Sequence, residues 1–476
     1  MERIIKMKEE IRSKIKLVCC SRKKGYPGWP HIDFDHEGLM KKYQAVLEEE
    51  LPYCDFTTVF YCNPAEAIEG WKDNDQYDGV VLFNATHGVG VAQTFLDLGQ
   101  PGVIIDELYA GSGDLVRLNT RINKQHLPVV VVASSDFDDA VEAINLLHVR
   151  KLLANSKILL FKNFNPISAE TEAYLKEALG TGSTWKRFLA GRAGLQDKLD
   201  ALKKTFGVEV VVKTKEDLEN YLAGVDDEEA KVIAKDWADN AEAIYEPSAE
   251  DIFQSARMYL ALQHAVDEEH ADAVSVDCIM MFYTTEMSAY PCMSHSKMCD
   301  MGIPSVCESD LDSTLTEMMV QYMTGLESFV SDPVIDTATN QIIYAHCSAG
   351  TKFLGEGSPR NKYYLRSHAE DNNSTSIQVL MPIGYDVTTV KFDILSNSMA
   401  IHTGRAVANV TDEKGCRTKL AAEVDDVQRL MDNWDMDVFS WHKVTFYGDW
   451  RTNFLNLAKL YGSKIVQEDR DIPRFD

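Results

Sequence analysis

Short apolar runs alternate with helix-like segments through the first third of the chain. The runs are rich in Val, Ile and Phe and mostly lack polar alternation, which is typical of strands buried within a parallel sheet. They occupy residues 15–20, 56–62, 77–83, 102–105 and 128–132. Helical spacing lies between them, over residues 37–50, 64–71 and 136–153. This alternation of strands and helices predicts a doubly wound α/β domain over residues 1–160.

A second α/β domain is predicted over residues 161–335, introduced by a strand at 157–161. Further buried strands are expected at 208–212 and 273–276, with a helix over 214–221. Two capping patterns mark helix starts, Ser248 with Asp251 and Ser309 with Asp312. Gly325 is expected to end the second of these helices, because glycine readily adopts the left-handed conformation of a helix C-terminus. A loop-rich stretch is expected from residue 277 to 307.

After about residue 340 strand-like runs follow one another without intervening helices, which indicates an antiparallel sheet or barrel. These runs lie at 342–346, 363–367, 377–381, 387–394 and 400–409. Helices over 423–430 and 452–460 and a last strand at 465–467 are expected to complete the chain. The predicted fold class is therefore α/β, with two doubly wound parallel-sheet domains followed by a β-rich, antiparallel, barrel-like C-terminal domain over residues 336–476.

Composition narrows the class of protein. Of the 476 residues, 45% are hydrophobic and 26% charged, ordinary values for a globular chain. The 48 Lys and Arg against 74 Asp and Glu give a net charge of −26 without a basic stripe, which disfavours nucleic acid as a partner. A strongly anionic substrate would need a local basic pocket. Arg22, Lys23 and Lys24 are candidates for one, although a short surface run of basic residues is the simpler interpretation.

The sequence also indicates where the protein resides. No apolar run approaches the roughly 18–20 residues that cross a bilayer. Residues 1–16 are densely charged and lack the apolar stretch of a secretory signal. The ten cysteines include neither a C-x-x-C pair nor a zinc-ribbon spacing, which is typical of reduced thiols. We therefore expect a cytoplasmic protein with no membrane partner.

One early motif invites a nucleotide-binding interpretation. Gly88-x-Gly90 follows a strand, but Gln93 stands where a dinucleotide fingerprint needs its third Gly or Ala. The motif also lies on the third strand rather than the first. We interpret it instead as a tight turn at the carboxyl end of a strand, able to present His87 to a crevice.

Two carboxylates are better placed for chemistry. Glu308 follows a short buried run just before a capped helix, and Asp332 follows another short apolar run. The helix between them is expected to join two parallel strands as a β–α–β unit, which places both side chains at the carboxyl edge of one sheet, where ligands bind. Taken singly, either residue could instead be a helix cap, or a turn starter such as the Asp332–Pro333 pair.

Two histidines extend this set. His346 closes the predicted strand at 342–346, and His442 lies in a strand-like segment ahead of a helix. Two carboxylates with one or two imidazoles suit a borderline-hard divalent cation, most naturally Mn²⁺, with Co²⁺ or Mg²⁺ as alternatives. Cys307 and Cys347 beside these residues are interpreted as buried neighbours rather than ligands.

The chain resembles the L-fucose isomerase and L-arabinose isomerase superfamily at these positions. The resemblance rests on Cys307-Glu308-Ser309-Asp310, then Asp332, Ala345-His346-Cys347, and His442 ahead of Phe446-Tyr447-Gly448-Asp449. It implies an aldose–ketose isomerase of carbohydrate metabolism that uses bound Mn²⁺ and forms a homo-oligomer, a hexamer or trimer. The loops after Asp277 and around Trp434 match neither branch, which leaves the sugar undetermined among pentoses, hexoses and 6-deoxy sugars.

The resemblance also implies roles for individual residues. Glu308 and Asp332 match the two acids that bind metal and serve as the acid/base pair, and His442 matches the C-terminal metal histidine. His346 matches a ligand of the arabinose branch only. Arg22 and His87 fall where the fucose enzymes contact substrate.

Two other functions remain open on the sequence. A metal-dependent aldolase or lyase would use the same enediolate stabilisation and then cleave a carbon–carbon bond. A non-enzymatic sugar-binding protein would also fit two α/β lobes. The paired acids at strand ends favour chemistry over binding, since a neutral sugar can be held without metal.

Overall fold

A computed structural model describes residues 10–163, 173, 176–177, 194–278, 281 and 287–471. Within this part of the chain, contacts divide the protein into two compact units. The N-terminal unit contains residues up to 152 together with 452–464, and the large unit contains the rest. The three-domain division with boundaries at 160 and 335 stays a prediction.

The N-terminal unit is built on a parallel sheet with the strand order β2-β1-β3-β4-β5. Its strands are β1 (Ser13–Cys20), β2 (Cys54–Tyr61), β3 (Gly79–Asn84), β4 (Gly102–Asp106) and β5 (Val129–Val132). The helices are α1 (His36–Glu50), α2 (Pro64–Gly70), α3 (Val91–Leu96), α4 (Ser112–Gln125) and α5 (Asp138–Ala154), with a 3₁₀ turn at Trp71–Gln76. The strand order reverses between β1 and β3, so the predicted doubly wound topology is confirmed and a ligand crevice is expected at that point.

The large unit begins with a second parallel sheet, of order β10-β9-β6-β7. Its strands are β6 (Lys157–Lys162), β7 (Glu209–Thr214), β9 (Ala273–Val276) and β10 (Ser305–Val306), while β8 (Ala243–Ile244) belongs to a separate small sheet. The helices are α6 (Leu195–Phe206), α7 (Lys215–Ala223), α8 (Asp227–Asn240), α9 (Ala249–Glu269), α10 (Cys292–Asp300) and α11 (Leu311–Thr324).

The C-terminal strands of the large unit form an antiparallel barrel. Six strands follow the order β15-β18-β11-β12-β17-β16, and pairing of β16 with β15 closes the ring, with β19 beside β16. They are β11 (Phe329–Asp336), β12 (Gln341–His346), β15 (Asp386–Asp393), β16 (Ser398–Asn409), β17 (Thr418–Glu423), β18 (Lys443–Tyr447) and β19 (Lys464–Gln467). β13 (Tyr363–Arg366) pairs with both β8 and β14 (Ser376–Val379) in the small sheet. The helices of this region are α12 (Val427–Asn433) and α13 (Met436–Phe439), whereas α14 (Arg451–Leu460) belongs, apart from Arg451, to the N-terminal unit. The predicted fold class is confirmed.

Several local predictions are confirmed by the cap geometry. Ser248 and Asp251 form a complete capping box at the start of α9. Gly325 ends α11 with a left-handed φ of 69°. The start of α11 differs from the prediction, because the capping side chain is Asp310, which accepts from the backbone of Ser313, and not Ser309.

Two further expectations were wrong. The predicted helix at 423–430 begins only at Val427, because residues 418–423 form barrel strand β17. The loop-rich stretch at 277–307 contains helix α10 and strand β10, while residues 279–280 and 282–286 lie outside the described part. Across the described ranges, no helix has the length and apolarity that crossing a bilayer requires.

Candidate metal centre

Four side chains predicted from the sequence meet at one place in the large unit. Glu308, Asp332, His346 and His442 each offer one ligand atom, and these atoms all lie within 4.8 Å of one another. The two histidines are buried and the two carboxylates are half-buried. The donor set of two carboxylates and two imidazoles fits a borderline-hard divalent cation such as Mn²⁺.

Glu308 is positioned by a tight turn between strand β10 and helix α11. Both Glu308 and Ser309 adopt left-handed backbone conformations, with φ of 64° and 52°. Such conformations are uncommon for residues with a side chain and are found where surrounding structure enforces them. Here the backbone of Ser309 donates to the carbonyl of Val276, and that of Glu308 donates to the Cys278 thiol. The turn therefore fixes the carboxylate beyond the carboxyl end of the parallel sheet.

The other three residues come from neighbouring strands of the barrel. Asp332 lies within β11 and pairs with Ala345 of β12, directly before His346. On the other side of β11, Ser331 pairs with Lys443, so His442 lies beside Asp332. Strand order and register thus bring one carboxylate and two imidazoles together.

The predicted reason for the meeting of the two acids was wrong. β10 and β11 do not form a β–α–β unit in one sheet, because β10 belongs to the parallel sheet and β11 to the antiparallel barrel. Asp332 also lies in the middle of its strand rather than after the end of one. Packing of helix α11 between the parallel sheet and the barrel, rather than a shared sheet edge, brings the carboxylates together.

His442 is surrounded by carboxylates. Its Nε2 lies 3.4 Å from Asp332 Oδ1 and 3.7 Å from Glu308 Oε2, and its Nδ1 lies 2.9 Å from Asp310 Oδ2. Burial alone would lower the pKa of His442, but the three carboxylates raise it well above its ordinary value. The carboxylates on both sides of the ring therefore favour its charged form.

The environments of the two acids differ. Burial would raise the pKa of Glu308, but His442 and His346 outweigh it and the pKa is lowered. Burial raises the pKa of Asp332 to about 6, because the charge of His442 compensates only part of the desolvation and Glu308 repels it. Asp332 therefore titrates closer to neutrality than Glu308.

Asp310 and Lys391 hold His442 from behind, and sequence reasoning gave neither a role at the site. Asp310 Oδ2 accepts from His442 Nδ1, from Lys391 Nζ at 2.6 Å and from Ser313 Oγ at 2.7 Å. Burial would raise the pKa of Asp310, but Lys391 and His442 keep it well below its usual range. A carboxylate that orients the distal nitrogen of a metal-ligating imidazole is a recurrent support for metal sites. One signal was available, because Lys391 places a charged residue within the predicted strand at 387–394.

His346 is enclosed by thiol and hydroxyl groups. Its Nε2 lies 3.4 Å from Cys307 Sγ and 4.0 Å from Glu308 Oε1, while its Nδ1 lies 3.1 Å from Ser348 Oγ. Burial lowers the pKa of His346 to about 4, with a further lowering by His442. The ring is therefore neutral at physiological pH, as a metal ligand requires.

The two predicted substrate contacts lie in the N-terminal unit, where the structure brings them together. Arg22 follows β1 and His87 follows β3, so they flank the point at which the strand order reverses. Arg22 Nη2 donates to the carbonyl of His87 at 2.5 Å, and His87 Nδ1 lies 3.4 Å from Asp114 Oδ1. Gly88, with a φ of 76°, forms the predicted tight turn.

A cavity of about 460 Å³ opens beside Arg22 in the same unit. Its lining includes the basic residues Arg22, Lys23 and Lys24, together with His31 and His36 and the acids Asp33, Asp35 and Glu37. Asp33 and Asp35 accept hydrogen bonds from the backbone of Gly25 and Gly38. The basic run thus lines a pocket of mixed charge.

Comparison with known proteins finds relatives that are named sulfoquinovose isomerase. The chain is 24% identical over 314 residues to the sulfoquinovose isomerases of Priestia aryabhattai and Priestia megaterium, a match that spans 62% of this chain and 63% of each relative. It is 32% identical over 169 residues to the sulfoquinovose isomerase of a Clostridium species, covering 35% of this chain and 36% of that protein. No family model matches the chain. The chain is thus similar to proteins named as sugar isomerases, over somewhat less than two thirds of their length.

Proposed function

We propose that this protein is a metal-dependent aldose–ketose isomerase. The observation that carries the proposal is the convergence of Glu308, Asp332, His346 and His442 within 4.8 Å of one another. The relatives named sulfoquinovose isomerase support the same reaction class. The assignment of these four residues as ligands, and of both acids as catalytic groups, is part of the proposal.

The reaction requires few groups. Isomerisation moves one proton between C1 and C2 of the sugar and one between the neighbouring oxygens, through a cis-enediolate. Glu308 and Asp332 act as the acid/base pair, a role that typically contributes about 10²–10⁴-fold to the rate. Because burial keeps the pKa of Asp332 near 6, this pair can both hold and release a proton at neutral pH.

Glu308, Asp332, His346 and His442 would hold the cation, for which we propose Mn²⁺, with Co²⁺ or Mg²⁺ as alternatives. A cation held there would supply several kcal/mol of charge stabilisation to the developing enediolate. Asp310 and Lys391 keep the His442 ring in a fixed orientation. The half-buried carboxylates leave an open side from which a sugar can enter.

The proposed substrate is a monosaccharide: a pentose, a hexose, a 6-deoxy sugar or, from the name of the relatives, sulfoquinovose. Arg22 and His87 are proposed as substrate contacts. Arg22, Lys23 and Lys24, which line a cavity of the N-terminal unit, are proposed as a basic pocket for an anionic group. A homo-oligomer, a hexamer or trimer, is proposed from the resemblance, and light scattering coupled to size exclusion measures it.

The test is a metal-dependent isomerase assay in D₂O. Chelator-stripped protein is offered sulfoquinovose and a panel of neutral sugars, with and without Mn²⁺, and the products are followed by NMR. We expect ketose formation with deuterium entering at C1 or C2, abolished in Glu308→Gln and retained in the exposed control Glu356→Gln. Fragment release would identify a lyase instead. Binding of sugar without turnover, with or without metal, would contradict the proposal.

A further inference from the structure

A second group of metal-ligating side chains lies beside His346. Cys292 is the first residue of α10, Cys347 follows β12, and His368 follows β13. One ligand atom from each lies within 4.8 Å of the other two, and the two sulfur atoms are 3.4 Å apart. Both cysteines are 5% exposed, and the side chain of His368 is 18% exposed. The group is therefore buried on the sulfur side and reachable from solvent on the imidazole side.

His368 is oriented by a separate set of contacts. Its Nδ1 lies 3.3 Å from Asp371 Oδ1, and Asp371 Oδ2 accepts from the hydroxyl of Tyr290 at 2.7 Å. The Tyr290 ring also packs edge-on against the imidazole, with ring centroids 5.0 Å apart. A carboxylate that accepts from one nitrogen of a histidine fixes its tautomer and ring orientation, which is how metal-ligating histidines are commonly supported. These contacts hold the His368 ring in a fixed orientation beside the two sulfur atoms.

A third cysteine, Cys416, lies near the group, and its thiol and that of Cys347 affect each other's pKa. Together these side chains offer three sulfurs and one imidazole, a donor set that structural zinc sites use. Since Cys292, Cys347 and His368 come from three separate elements, a cation bound to them would link those elements beside the carboxylate centre.

We propose that Cys292, Cys347 and His368, with Cys416 as the fourth donor, form a second metal site, which takes a thiophilic divalent cation such as Zn²⁺. Binding replaces the thiol protons, which pass to solvent, and changes no oxidation state. The two sites sort cations by ligand chemistry, because sulfur-rich sets select Zn²⁺ whereas carboxylate-rich sets suit Mn²⁺ and Mg²⁺. This inference does not depend on the reaction proposed for the carboxylate centre.

Cobalt spectroscopy separates the two sites directly. Co²⁺ bound to thiolates gives an intense near-ultraviolet charge-transfer band, which Co²⁺ bound only by nitrogen and oxygen lacks. Titration of chelator-stripped, reduced full-length protein with Co²⁺ is expected to produce this band, and one equivalent of Zn²⁺ is expected to displace it. Glu308→Gln should keep the band, and so should Cys54→Ser, which removes a buried thiol of the N-terminal unit.

The decisive variants change residues of the proposed second metal site. Cys292→Ser should abolish the band, and His368→Gln, which changes a partly exposed side chain, should weaken Co²⁺ binding at least about tenfold. Circular dichroism confirms that each variant is folded. Absence of the band in the unaltered protein would overturn the proposal. Persistence of the full band in both variants would place thiolate binding elsewhere and would overturn it as well.

Discussion

Asp310→Asn tests whether Asp310, which accepts from His442 Nδ1, governs metal binding at the proposed centre. Asparagine keeps the shape of the side chain and caps a helix about as well as aspartate, so the start of α11 should be preserved. The change removes the negative charge that faces His442 Nδ1 at 2.9 Å and Lys391 Nζ at 2.6 Å. The substitution therefore isolates charge from shape.

These contacts set the expected loss of metal affinity and the expected loss of stability. Removing a carboxylate that supports a metal-ligating histidine typically lowers metal affinity about 10–100-fold. Lys391, with a side chain 1% exposed, also loses its partner, and breaking a buried ion pair costs about 3–5 kcal/mol. Because Ser313 Oγ still accepts from Lys391 at 2.6 Å, we expect the loss of stability to fall at the lower end, about 3 kcal/mol.

The assay is Mn²⁺ binding by calorimetry, with urea unfolding monitored in parallel. Asp426→Asn is the matched control, because Asp426 also caps a helix, α12, through the backbone of Arg429 but lies outside the centre. The double variant Asp310→Asn, Lys391→Met should recover most of the stability while Mn²⁺ affinity stays low. Unchanged Mn²⁺ affinity in the folded Asp310→Asn protein would refute the role assigned to Asp310.

Three further outcomes are expected. Metal uptake at pH 7 should release about one proton from His442, because carboxylates raise its pKa in the metal-free protein; calorimetry in buffers of different ionisation enthalpy measures this, and equal heats would contradict it. Burial raises the pKa of Glu317 from 4.5 to about 8, so the folded state binds this proton more tightly than the unfolded chain does. The stabilisation that the bound proton of Glu317 provides is complete below about pH 4.5. It is lost towards pH 8, by up to about 1.4 kcal/mol per pH unit. Urea unfolding of Glu317→Gln should lack this slope, and an unaltered slope would disprove the assignment. Gly111→Ala should destabilise the protein by about 1–3 kcal/mol, because its Cβ would lie 2.0 Å from the Asn84 carbonyl oxygen; Gly224→Ala, with its nearest neighbour at 3.5 Å, is the control, and equal stabilities would refute the argument.

Structural features that depend on residues close together in the sequence were predicted correctly. The buried strands of the parallel sheets, the capping box at Ser248 and the helix stop at Gly325 all depend on residues within a few positions of one another. The four residues of the candidate metal centre were also selected from the sequence, because their types and positions resemble those of a known superfamily, and the structure brings their ligand atoms within 4.8 Å of one another. Local order and chemical identity were therefore readable along the chain.

Contacts between distant segments were decided only by the tertiary structure. The sequence placed Glu308 and Asp332 on one sheet, whereas the structure places them on two, because a short apolar run does not reveal which strand it will pair with. The support from Asp310 and Lys391, which are 81 positions apart, and the meeting of Cys292 with Cys347 likewise depend on closure of the barrel and packing against it. Hydrophobic periodicity determines which elements form and which face is buried, whereas register and packing determine which side chains meet.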